Sequence, residues 1–356
     1  MYPTLTRDPG VGSGGNDVSV GVVRPLLSVI TPVLNGDRFL SGCLDNVLAQ
    51  RCPRVEHLIV DGGSTDATEA IARDYVGRYG TIRWIREAGA NQSRAMNLGV
   101  EQSRGRVIGV LNVDDFYEPG TLERVLALFA GLPSPSFAAG NCKAWQDGRV
   151  LYVNRPVNLR LEKLLLGPEY HQFPFNPAGY FYDRALHAFV GPYDESDEYT
   201  MDLDFLLRAV RVAHVVYIDE TWGNYRIHAN AKTAKDRAAG DHDRRREALM
   251  RRHRRQLSRR RRAALVAELS TRRLLRWALR WRAGSAVRSV LALALRSRGP
   301  RLRPGIRAEG SLEHGGAERH GVQPMEPSAR GAEAHREEAA PPVVVEPLLE
   351  VEDHRA

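Results

Sequence analysis

The sequence predicts an α/β domain with a mainly parallel, Rossmann-like central sheet, followed by a basic helical segment. Three segments carry the prediction: SVITPVLN (28–35), LIVDGGSTDAT (58–68) and VLNVDDFYEPG (110–120). Each is an apolar, strand-like run that breaks into polar, turn-forming residues. Buried parallel strands of open α/β sheets bind ligands at their carboxyl ends. Asn35, Asp61, Asp114 and Asp115 are therefore expected on one rim. Carboxylates gathered there suit a metal ion and a phosphorylated ligand.

The elements follow in order. Residues 26–31 read as a buried strand. Residues 39–50 read as a helix, with Leu40, Leu44, Val47 and Leu48 at helical spacing. Residues 57–60 form a second strand, and Asp66 suits the cap of a helix running to about 79. Residues 82–85 are a third strand and 93–103 a helix carrying Met96, Leu98 and Val100. Residues 107–111 are a fourth strand, and Pro119 suits the first turn of a helix through 129. This alternation calls for parallel strands with helices on both faces. Further strands are expected within 137–153 and at 215–218, a short helix at 159–166, and a stronger one at 202–212, opened by Asp202 and Asp204.

The 356 residues divide into a Gly-, Ser- and Pro-rich start (1–24), the α/β domain (25–234), an Arg-rich extension (235–298) and a Pro-, Gly- and Glu-rich tail (299–356). Both ends are expected to be disordered. The net charge of +8 is unevenly spread. Residues 236–298 hold 20 Arg, no Lys and 5 acidic residues, a net +15, which leaves −7 for the rest. Within the extension Leu274, Trp277, Ala278 and Trp281 recur at helical spacing, with Arg273, Arg276 and Arg280 on the opposite face. An Arg-rich helix with a Trp stripe fits an anionic membrane surface. Dense Arg also suits nucleic acid, a weaker match. With only four Lys in the chain, plain Arg usage on a solvated helix is the third reading. The apolar fraction of 43% supports a sizeable core, and no run approaches the length of a membrane span. No apolar leader opens the chain. Cys43, Cys52 and Cys142 form an odd, sparse set that reads as free thiols in a reducing cytoplasm.

The three rim motifs, in this order and spacing, resemble those of the family-2 glycosyltransferases, over about residues 26–233. The resemblance implies a GT-A-like single domain. It implies transfer of a sugar from a UDP-, GDP- or dTDP-linked donor to a carbohydrate or glycolipid acceptor, with inversion, in cell-surface assembly. Mg²⁺ or Mn²⁺ is the implied cofactor. With the sparse thiols and the Arg-rich helix, the expected setting is cytoplasmic, peripheral at the inner face of the membrane. Thr31, Pro32, Val33 and Asn35 then line the nucleotide pocket through their backbone. Asp61 accepts the base N–H beside Gly62, where many relatives carry a second Asp. Arg94 and Asn97 lie near the donor diphosphate.

Asn112 replaces the first acid of the family's Asp-x-Asp signature. This leaves Asp114 and Asp115 to divide metal and ribose, with Asp115 favoured for the metal. Asp202 matches the family's general base, with Met201 in place of the usual preceding acid. Arg226 and His228 are the late-loop candidates for diphosphate and metal. His171, Phe175 and Asn176 fall where relatives build the acceptor pocket. A nucleotide-sugar pyrophosphorylase would need a Gly-rich loop where this chain has TPVLNGDRF. An inactive nucleotide-sugar-binding scaffold at the membrane is the rival from another class, kept open by Gly62, Asn112 and Met201.

Overall fold

A computed structural model describes residues 25–229, 231, 232, 236, 240–296 and 343–345. The expected disorder of 1–24 and 299–356 falls outside them, apart from 343–345. Strands β1 (Leu27–Val33), β2 (Val55–Asp61), β3 (Ile82–Arg86) and β4 (Val107–Val110) alternate with helices α1 (Asp37–Ala49), α2 (Thr68–Arg78) and α3 (Gln92–Gln102). Next come β5 (Phe116–Tyr117), α4 (Thr121–Gly131), β6 (Ser136–Gln146), β7 (Arg149–Asn154), α5 (Leu161–Leu164), β8 (Tyr180–Asp183), α6 (Leu186–Val190), α7 (Met201–Ala209) and β9 (His214–Arg226). Two helices, α8 (His242–Arg255) and α9 (Arg259–Arg296), and a short strand β10 (Val343–Val345) complete the order.

The sheet runs β10-β9-β6-β8-β4-β1-β2-β3, with β5 on β9 and β7 on β6. β4-β1-β2-β3 are parallel. β8 joins them antiparallel to β6, which pairs parallel with β9. Alternation along β1 feeds both faces: Val29 packs with Val47 and Phe181, and Ile30 with Met96 and Leu98. This two-sided burial explains the unbroken apolar runs of the parallel strands. The left-handed Gly120 (φ 71°) starts α4 at Thr121, so Pro119 lies just outside it.

The extension is not a separate body. Leu249, Met250, Leu257, Leu265 and Leu269 join the same core cluster as Met201, Phe205 and Leu206 of α7. Arg276 faces the domain, 3.5 Å from Glu169 and over the Tyr170 ring, beside the buried Leu265 and Leu269. Leu274 and Trp277 point away, 66% and 65% exposed. The side chain of Trp281 lies outside the described residues. Strand β10, within the tail, pairs antiparallel with Tyr217, Val216 and Val215.

Candidate active site

The carboxyl ends of β1, β2 and β4 meet on one rim. Asn35, at φ 53°, accepts the Thr65 N–H (2.9 Å) through Oδ1 and donates its own N–H to Ser64 Oγ (2.8 Å). This stitches the β1 exit to the β2 exit. Asn tolerates such a left-handed backbone better than most residues. The Val33 carbonyl accepts the Gly62 N–H at 2.9 Å. Thr31 turns inward instead: its hydroxyl pairs with His57 Nε2 at 2.8 Å and lies 3.7 Å from Cys43 Sγ. Pro32 is buried as well. The side chains of 31 and 32 therefore belong to the core.

Asp61 is fully buried. Its Oδ1 accepts N–H groups from Gly63 (3.0 Å) and Ser64 (2.8 Å), while Oδ2 has no protein partner. A buried carboxylate oxygen without a donor is costly. A Cβ on Gly62 would lie 2.6 Å from the Ala90 carbonyl oxygen. A second acid beside Asp61 is thus sterically closed in this chain.

The turn after β4 sorts its two aspartates. Asp115 is 2% exposed. Its Oδ2 accepts from Asn112 Nδ2 (3.1 Å) and Asn176 Nδ2 (2.8 Å), and its Oδ1 accepts the Arg226 N–H (3.0 Å). Burial, and then the neighbouring Asp114, push its carboxyl up from the usual range. Asp115 thus ties the rim to β9 and to the Asn176 turn. Asp114 stays partly exposed, with Oδ2 2.8 Å from His228 Nε2. The oxygens of Asp115, favoured above for the metal, are taken up inside the protein, whereas Asp114 and His228 are partly exposed. Asn112 is also accounted for. Its amide donates to Asp115 and accepts from Gln92 Nε2 (3.1 Å), where a third acid would repel Asp115.

The donor-side expectations fare unequally. Arg94 is held among Glu87 (3.3 Å), Glu195 (3.7 Å) and Glu101 (4.0 Å). Asn97 is buried and spent: Nδ2 donates to the Tyr193 carbonyl and Glu195, and Oδ1 accepts the Tyr193 N–H. With both amide hydrogens used, it has no N–H for a diphosphate. Arg226 contributes its backbone to Asp115, and its guanidinium sits 4.8 Å over the Phe116 ring, exposed.

Asp202 stands in the first turn of α7, partly accessible, with Oδ1 accepting the Leu203 N–H at 2.7 Å. Burial pushes its carboxyl up to about 6; Asp197 adds to the rise and Lys232 opposes it. Sequence reasoning missed the parts that set this helix. Asp197 Oδ1 accepts the N–H groups of Tyr199 and Thr200, both at 2.9 Å, and so caps the approach to α7. The start of α3 fixes the same loop. Asn91 Nδ2 donates to the Glu195 carbonyl (2.7 Å) and Ser93 Oγ to the Asp197 carbonyl (2.8 Å). Since Gln92 binds Asn112, one turn of α3 links the aspartate rim to the helix of Asp202. The only sequence sign was the run Asn91-Gln92-Ser93 at a helix start.

A divalent ion can be tested against these donors. In a Mg²⁺ octahedron with ligands at 2.0–2.1 Å, neighbouring ligand atoms lie about 3 Å apart. The 2.8 Å contact between Asp114 Oδ2 and His228 Nε2 is a hydrogen bond, so an ion held by both atoms would have to displace the proton between them. Among the described residues no three acidic, His or Cys side chains form a cage. At phosphates Mg²⁺ is usually held by one or two carboxylates completed by ligand oxygens and water, and of this pair Asp114 is that kind of donor.

The glycosyl transferase family 2 model matches residues 28–186, from β1 to the start of α6. A PGL/p-HBAD biosynthesis glycosyltransferase of Mycobacterium tuberculosis is 34% identical over 211 residues, 55% of this chain and 76% of the relative. The uncharacterized glycosyltransferase EpsJ of Bacillus subtilis is 30% identical over 220 residues, 59% of this chain, which spans 63% of EpsJ. In fold, the chain is similar to S. aureus TarS 1–349 in complex with UDP-GlcNAc. The TM-score is 0.54 at 17% identity, over 68% of this chain and 71% of that one. The GT-A-like sheet with its aspartate rim and the match across three quarters of the mycobacterial enzyme agree: the chain belongs to glycosyl transferase family 2.

Proposed function

We propose that the protein transfers one sugar from a nucleoside-diphosphate sugar to an acceptor hydroxyl with inversion, assisted by a divalent cation. The observation that carries this reading is the separation of two carboxylate roles on one frame. Asp114 with His228 is partly exposed at the rim, and Asp202, tuned by burial, opens a helix whose approach is tied to that rim through Gln92 and Ser93 of α3. Asp61 Oδ2 would accept the imide N–H of the base, between the β1 and β2 exits. Structures of TarS with UDP and with UDP-GlcNAc support a uridine donor.

In the reaction, ionised Asp202 takes the proton of the acceptor hydroxyl. That oxygen bonds to the anomeric carbon as the bond to the diphosphate oxygen breaks, and the nucleoside diphosphate leaves with the electron pair. Asp114 and His228 would hold a Mg²⁺ or Mn²⁺ ion, which would supply neutralisation of the charge on the leaving diphosphate. The mycobacterial relative's role in PGL/p-HBAD biosynthesis supports a glycolipid or cell-surface glycan acceptor. The scaffold alternative loses ground, because Gly62 and Asn112 have structural reasons of their own and Asp202 is retained.

A donor panel tests this reading. UDP-, GDP- and dTDP-sugars are incubated with the protein and Mn²⁺ or EDTA, and nucleoside diphosphate release is followed. Turnover of one donor is expected, abolished by EDTA and lowered at least 100-fold by Asp114→Ala. Donor binding with no turnover in the presence of candidate acceptors would support the scaffold instead.

Among the described residues no helix is long and apolar enough to cross a membrane. Leu274 and Trp277, outward on the Arg-rich α9, support peripheral binding to an anionic bilayer. Full-length protein is expected to float with phosphatidylglycerol vesicles, and Leu274→Asn/Trp277→Asn to stay behind. Equal flotation of the two would refute this placement.

A further inference from the structure

The family model ends at residue 186, yet the helix carrying Asp202 and the helix packed on it lie beyond that point. The contacts between them have a pattern. Tyr199, three residues before Asp202, has two cations at its ring: Lys232 Nζ at 4.9 Å and Arg245 Cζ at 4.8 Å from the centroid. Lys232 also pairs with Glu198 at 2.8 Å. Asp204, two residues after Asp202, is 4% exposed. Its Oδ2 accepts from Arg208 Nε of its own helix (2.8 Å). Its Oδ1 accepts from Arg252 Nη2 (2.6 Å) and His253 Nε2 (2.8 Å), both on α8.

The second contact is well specified. Arg211 Nη2 lies 3.2 Å from His253 Nδ1. A guanidinium can only donate, so Nδ1 accepts and the ring proton sits on Nε2, directed at Asp204. His253 is 1% exposed, so this tautomer is enclosed in protein. Arg245, Leu249 and Arg252 lie at i, i+4 and i+7, which is one face of α8. Leu249 between the two arginines is buried in the core cluster that holds Met201 and Leu203. One helix face therefore touches α7 and its approach on both sides of Asp202.

A general base must be held within about 0.5 Å of its working position, and an error near 1 Å can cost about 100-fold in rate. We infer that α8 is a positioning element for the base: Arg245 with Lys232 on Tyr199, and Arg252 with His253 on Asp204, fix the first turn of α7 on either side of Asp202. The inference rests on the reading of Asp202 as base. It gives the Arg-rich segment a role in catalysis apart from any membrane.

The test uses full-length Arg245→Ala/Arg252→Ala. Both side chains are about half exposed (47% and 53%), so their loss leaves the core intact. The readouts are kcat with the nucleotide sugar that the parent turns over in the donor panel, calorimetric binding of that donor, and amide hydrogen exchange. Expected are one donor per chain at unchanged affinity, kcat lowered about tenfold or more, and faster exchange confined to 199–206. Arg245→Lys/Arg252→Lys, which keeps both charges, should recover most of the rate. Parent-like kcat in the Ala variant overturns the inference, as does faster exchange without a rate change, which would make α8 a structural brace. The two readings fail separately. An inactive Asp202→Asn beside a fully active Arg variant sinks only the positioning role, whereas an active Asp202→Asn sinks the base.

Discussion

Asp202→Asn is expected to lower transfer by roughly 10²- to 10⁴-fold, the usual contribution of a positioned proton acceptor, while donor affinity stays within twofold. The amide keeps the size of the side chain and can still accept the Leu203 N–H, but it cannot take the acceptor proton. The pH profile gives an independent check. The carboxyl is raised to about 6, first by burial. The rate should then climb tenfold per pH unit below about 6 and level off above it, as the basic form fills. Lys232 holds the carboxyl down from a still higher value, so Lys232→Met should move the midpoint upward. The sign for stability is the reverse of the usual carboxylate case. The folded chain binds this proton more tightly than the unfolded chain does. The group's favourable contribution is therefore present below about pH 4, shrinks as pH rises through 6, and is gone above it. Asp202→Asn should then melt no lower than the parent at pH 7.5, and above it if the burial of the charge dominates. A stabilised, inactive variant marks a residue kept for chemistry. An Asp202→Asn enzyme with parental kcat would remove it from the mechanism.

The rim was legible in the sequence because its logic is local. A strand that runs out into Asp, Asn and Gly announces its own carboxyl end, and β1, β2 and β4 place three such ends together. What each side chain does there is set by partners far along the chain. Asp115 turns inward because Asn176 and Arg226 supply donors from 61 and 111 positions away. Asp114, its neighbour, is left for His228. Arg94 and Asn97 looked like donor ligands by position, but Glu195 and Tyr193 claim them. Gly62 looked like a lost acid until the Ala90 carbonyl was seen to leave no room. In α9 the period was readable, but the residues that meet the domain were not. A stripe of Leu and Trp says that one face is apolar; only the burial of Leu265 and Leu269 shows that a different face meets the domain.

The same packing makes the Arg-rich extension hard to remove. A chain ending at Ala234 loses Leu249, Met250, Leu257, Leu265 and Leu269, each at most 8% exposed. At about 1.5–3 kcal/mol per buried apolar side chain, five of them amount to roughly 10 kcal/mol, comparable with the whole stability of a typical domain, about 5–15 kcal/mol. Polar ties go with them: Lys163 to Glu268 at 2.8 Å, Arg254 to the Leu165 carbonyl at 3.0 Å, and Arg261 to Glu162. Asp204 also loses two of its three donors while staying beside the core. That truncated chain is expected to lack a cooperative unfolding transition, whereas one ending at Ala278 keeps all five side chains and should unfold near the parental midpoint in urea. A cooperative transition at the parental midpoint for the shorter chain would show that the helices only rest on the domain. The contrast also governs how membrane binding can be studied. Deleting the whole extension would confuse loss of lipid contact with loss of fold. Substituting the outward Leu274 and Trp277 alters only the face that the domain leaves uncovered.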